Sequence, residues 1–73
     1  MNTGLNKLEF RVYEIEHNDD LEDAISELRS YGAENVSILS IDFEDTESVK
    51  FEVMVPESKI KEFIIDVRMQ MCV

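Results

Sequence analysis

Cysteine occurs once in the 73 residues, as Cys72, so no disulfide can close within the chain. A core of this size supplies only about 3–5 kcal/mol, and it leaves little room for an enclosed catalytic cleft. Gly4 and Gly32 are the only glycines. Neither sits in a phosphate-cradling loop, and neither acidic stretch has the central glycine of a calcium loop. Histidine appears once, His17, with no serine or cysteine near it in sequence, and reads as a loop residue. Basic residues are scarce as well: 7 Lys+Arg stand against 17 Asp+Glu, a formal net charge of −10. That balance argues against direct binding to nucleic acid or to an anionic membrane, both of which demand positive surface. It permits cationic partners. No apolar run approaches the roughly 20 residues that span a bilayer. The stretch Met1–Lys7 lacks the apolar core of a signal peptide, so a cytoplasmic chain is expected.

What is present is patterned, with 44% hydrophobic residues falling in regular periods. Leu8–Glu16 alternates as a half-buried strand through Leu8, Phe10 and Val12. The phase then slips to Tyr13 and Ile15, which a bulge near Val12-Tyr13, or burial on both faces, would explain. Leu21, Ala24, Ile25, Leu28 and Tyr31 recur at helical spacing, with Asp19 as candidate N-cap and Gly32 as terminator. Asn35–Glu44 reads as a strand in which Leu39, Ile41 and Phe43 share a face, while Val36 and Ile38 begin in the other phase. The turn Asp45-Thr46-Glu47 then leads into Ser48–Val55, where Val49, Phe51, Val53 and Val55 point inward, and Pro56 ends that strand. The last helix, from Ser58 onward, has a core stripe of Ile60, Phe63, Ile64, Val67 and Met71. Ile65, Met69 and Cys72 form a second apolar stripe beside it.

The order β-α-β-β-α implies a right-handed crossover, with the last strand pairing between the first two. The expected class is α+β: a ferredoxin-like open sandwich of three antiparallel strands and two helices on one face, lacking the fourth strand. In that topology the exit of the first strand and the hairpin share one end of the molecule. Glu14, Glu16, Asp19, Asp20, Glu22 and Asp23 flank the exit; Asp42, Glu44, Asp45 and Glu47 flank the hairpin. An acidic pole is the expectation, with Lys7, Arg29, Lys59 and Lys61 toward the other end. The helix dipole alone rationalises the acids of the first helical turn, at about 0.3–1 kcal/mol each. It does not rationalise the hairpin acids.

The segment Asp20–Phe43, DLEDAISELRSYGAENVSILSIDF, resembles the helix and following strand of ACT-type regulatory domains. The shared features are a helix ending in Tyr31-Gly32 and a strand opening at Asn35-Val36. The resemblance covers about a third of the chain, and it implies a ferredoxin-like fold and a module that senses small ligands such as amino acids. ACT domains carry a glycine near the start of the first helix, whereas this chain has His17-Asn18-Asp19-Asp20 there.

From the residues themselves, the expected activity is non-enzymatic, with no catalytic residue, metal or cofactor. The chain is expected to bind a basic surface of another protein through the acidic pole, as an inhibitor or modulator. Small phage-encoded proteins that imitate nucleic-acid charge supply the analogy. The alternatives are the ACT-like sensing module and a subunit that adds its open sheet edge to a larger complex. With the outer side of the first strand left as an edge, a homodimer is also expected, through Phe10, Val12, Tyr13, Ile65, Met69 and Cys72. Cys72 is expected to have no covalent role.

Overall fold

The computed structural model describes residues 4–73. Met1–Thr3, part of the stretch read above for a leader, lie outside the described residues. Strand β1 (Leu5–Tyr13) leads to helix α1 (Asn18–Ser30), strand β2 (Asn35–Asp42) and strand β3 (Ser48–Pro56). A single 3-10 turn (Glu57–Lys59) then opens helix α2 (Ile60–Gln70). The sheet order is β1-β3-β2, antiparallel throughout. This is the ferredoxin-like α+β arrangement without a fourth strand among the described residues. No helix among them is long and apolar enough to cross a membrane.

β3 takes the centre because all four of its inward positions are apolar. Val49, Phe51, Val53 and Val55 are completely buried. Val12, Phe10 and Leu8 of β1 pair with Val49, Phe51 and Val53 on one side. Ile41, Ile38 and Val36 of β2 pair with the same three on the other. Leu21, Ala24 and Leu28 of α1, with Phe63 and Val67 of α2, cover this face. Phe10 ties the layers together, its ring centroid 6.4 Å from Phe51 and 6.3 Å from Phe63. The opposite face of the sheet is polar and uncovered, with Lys7 Nζ 3.6 Å from Glu52 Oε2 across it.

Three local expectations are corrected. β1 runs Leu5–Tyr13 rather than Leu8–Glu16, and its register with β3 carries no bulge near Val12-Tyr13. The phase slip comes after the strand. Glu14 adopts φ 67°, which turns the chain so that Ile15 drops into the core while Tyr13 stays exposed. The bulge lies instead in β2, between Ile38 and Ser40. It reconciles the two apolar phases of that strand, but leaves Ile38, Leu39 and Ile41 substantially exposed rather than on a buried face. Finally, α1 starts at Asn18 with His17 as N-cap, so Asp19 sits inside the first turn. Asp20 does the tying there: its Oδ2 accepts the backbone N–H of Glu16, one residue before the N-cap, at 3.1 Å.

At the other end of α1, Gly32 (φ 127°) closes the helix as the spacing implied. Its N–H donates to Arg29 O and that of Ala33 to Leu28 O, the paired bonds of a Schellman motif. Lys59 packs over this glycine, its Cδ 3.3 Å from where a Cβ would stand. Basic Arg29 and Lys59 therefore lie at the end remote from the β1 exit.

Candidate functional site

The backbone N–H of Ile15 donates to Glu47 O at 2.9 Å. That bond fastens the β1 exit to the β2–β3 hairpin, so the two acidic segments share one end of the molecule. The hairpin is itself organised by an acid. Asp42 Oδ1 accepts the N–H of Asp45 at 2.9 Å, and Oδ2 accepts the Thr46 hydroxyl at 3.2 Å. The Asp45 hydrogen bond, above the others, holds the Asp42 carboxyl below its ordinary value of 3.8. Because folding depresses this pKa, the stabilisation is complete above about pH 4 and is lost as pH falls through the folded value. We expect NMR titration to place Asp42 below the ordinary aspartate value. Asp42→Asn should remove the change in Asp45 amide protection across that window.

Between the β1 exit, the start of α1 and the chain end lies a shallow cleft of about 200 Å³. Four carboxylate residues line it: Glu14, Asp20, Asp23 and Glu27. Asp20, Asp23 and Glu27 fall three and four residues apart on α1, so one helix face presents all three toward the cleft. Glu14 comes from the turn after β1. Glu16, Asp19, Glu22, Glu44, Asp45 and Glu47 are exposed around this end. Among the described residues the only ion pairs are Lys7–Glu52 and His17–Asp20, so no Lys or Arg neutralises the cleft. Arg11 is turned to the open sheet face, where its Nη1 donates to Ser48 Oγ at 2.9 Å.

Glu27 was absent from the residues singled out in sequence. Its i, i+3, i+7 spacing with Asp20 and Asp23 was the available signal. Two glutamates here, Glu14 and Glu47, are the only non-glycine residues with positive φ among those described. A left-handed conformation costs a side-chain-bearing residue roughly 1–2 kcal/mol, and glycine would avoid it. Like charges one turn apart on α1 cost a further ~0.2–0.5 kcal/mol per pair.

Cys72 is exposed at the cleft rim. Its thiol hydrogen-bonds the Glu14 carboxylate, and that bond together with the nearby charge pushes its pKa up. A raised thiol pKa means less thiolate, hence a weak nucleophile at neutral pH. No group of three or more His, Cys, Asp or Glu among the described residues is arranged to hold a metal ion.

Of the residues expected at a dimer interface, Val12, Tyr13 and Cys72 meet at the acidic cleft. Val12 is 3% exposed and belongs to the chain's own core. Tyr13 is exposed, yet its N–H already donates to Cys72 O at 2.7 Å. Ile65 and Met69 are 55% and 74% exposed along α2. Phe10 instead joins Leu8, Phe63, Ile64, Val67 and Met71 in lining a wider, mainly apolar groove of about 640 Å³ between β1 and α2. Compared with protein-family models, with curated proteins and with solved structures, the chain matches none.

Proposed function

We propose that this protein is a non-enzymatic binding module whose acidic end docks on a basic surface of another protein, the cleft taking a lysine or arginine side chain. The observation that carries this reading is the cleft itself: four carboxylate residues converge on a concave site, and among the described residues no Lys or Arg pairs with any of them. Such a site awaits a cation from outside. Its position, ringed by the hairpin acids, favours a partner with several basic groups, because the surrounding charge steers encounter and the cleft then fixes orientation. The conformational cost carried by Glu14 and Glu47 supports function over mere solubility. Carboxylates on unstrained surface would solubilise the chain equally well. Inhibition or modulation of the partner follows where its basic surface is its own working surface.

The test is capture on the immobilised protein over a salt series. A stoichiometric basic partner should be retained at low salt and released as the Debye length shrinks from about 30 Å at 0.01 M to about 10 Å at 0.1 M. A partner whose retention is indifferent to salt would sink the reading.

A further inference from the structure

The outer edge of β1 carries an inference independent of the acidic cleft. Gly4 O accepts the N–H of Glu57, while Tyr13 N–H points away from β3 to Cys72 O. In an antiparallel ladder these orientations alternate, so even-numbered residues of β1 bond to β3 and odd-numbered ones face outward. Leu5, Lys7, Glu9, Arg11 and Tyr13 therefore present the outer edge, and among the described residues Tyr13 alone of these meets a backbone acceptor from a neighbouring segment. The chain end closes the edge at Tyr13 and leaves it open from Leu5 to Arg11. Beneath this open stretch runs the apolar groove, with Leu8 and Phe10 on its strand wall and Ile64 on its helix wall. An open strand edge above an apolar groove is the site that an added strand fills.

We propose that a second copy of this chain seats there, the two β1 strands pairing antiparallel about a two-fold axis through Leu8. Leu8 is the midpoint of the open stretch, so this register uses all of it. It sets Lys7 of each copy opposite Glu9 of the other, twice by symmetry, and packs Leu8 on Leu8 over the groove. Within one chain Glu9 faces Glu52 directly across the ladder, a like-charge neighbour, and the second copy supplies the opposite charge. A two-fold centred on Glu9 would oppose Glu9 to itself and Lys7 to Arg11. One centred on Phe10 would drive Lys7 into the chain end at Tyr13. A one-residue slip would turn the apolar side chains to the wrong face. Charge also selects a copy of this chain over a basic strand. Lys7, Glu9 and Arg11 stand along this edge and Arg68 lines the groove beneath it, so three basic residues stand against one acidic residue where the copies meet, in a chain of net charge −10.

The experiment is sedimentation of the full chain over a concentration series, with amide exchange measured alongside. We expect a reversible dimer. The Lys7 and Glu9 amides should slow as concentration rises, while Tyr13 is protected at every concentration by Cys72. Lys7→Glu and Glu9→Lys should each weaken self-association by about tenfold or more, since each creates two like-charge contacts. Mixing the two variants should restore a dimer, because the new carboxylate of one copy meets the new ammonium of the other. Monomers throughout, with these amides exchanging freely, would overturn the proposal and leave the groove to a strand of another protein. A dimer indifferent to both reversals would overturn it too, placing the interface elsewhere, such as the exposed Ile65 and Met69. Neither failure touches the acidic cleft.

Discussion

Phe51→Ala is expected to unfold most of the protein at room temperature. Phe51 is completely buried at the middle of the central strand, paired with Phe10 on one side and Ile38 on the other. Truncating such a residue loses its transfer free energy and leaves a cavity, together about 3–5 kcal/mol. A core in a domain of this length supplies a comparable amount, so little or nothing remains. The surroundings relax poorly, because Val49 and Val53 are fixed by ladders on both sides and Phe10 is held between Phe51 and Phe63. Phe51→Leu keeps most of the volume and should cost less than about 1.5 kcal/mol beyond its lost surface. Ile65→Ala, on the exposed side of α2, should cost little. Urea unfolding followed by circular dichroism orders the three variants. A Phe51→Ala chain with a midpoint close to native would mean that β3 is not the centre of the core.

Much of this architecture was legible because β3 and α1 each have one clear period. Val49, Phe51, Val53 and Val55 alternate without interruption, and Leu21, Ala24 and Leu28 fall on one helical stripe closed by Gly32. Where a phase changes, sequence alone leaves several geometries open. The slip from Val12 to Ile15 is produced by one left-handed residue, Glu14, after the strand has ended. The mixed phases of β2 are produced by an inserted residue at Leu39. Both patterns look alike in the linear chain, since each shifts the apolar parity by one. What separates them is whether the partner strand continues alongside, and that is a property of pairing.

The candidate site divides the same way. That the β1 exit and the hairpin share an end follows from topology, and the Ile15–Glu47 hydrogen bond realises it. The roles of individual acids do not follow from topology. Asp20 and Asp42 read as members of an undifferentiated acidic cluster, yet their carboxylates tie down their own loops. Glu27 was not singled out in sequence, yet it lines the cleft. The edge of β1 likewise reads as open along its whole length in sequence, whereas Cys72 closes it at Tyr13.

This division of roles decides which acids to reverse. Glu27→Lys is expected to weaken partner binding by at least about tenfold, because a cation in the cleft opposes the cation it is to receive. Folding should hold or improve, since a lysine in the second half of α1 complements the helix dipole and removes the like-charge spacing with Asp23. A loss of binding with unchanged stability therefore cannot be attributed to unfolding. Reversing Glu44 and Asp45 to Lys acts from outside the cleft and should slow association by about tenfold at low salt, with a smaller effect on dissociation. Asp20 and Asp42 are left intact in both variants, because losing either loosens a loop and confuses the two effects. Kinetics at two ionic strengths separate the outcomes. If Glu27→Lys and the hairpin reversal both leave binding untouched, the acidic end serves solubility alone. If only the hairpin reversal acts, the surface steers a partner whose cation docks outside the cleft.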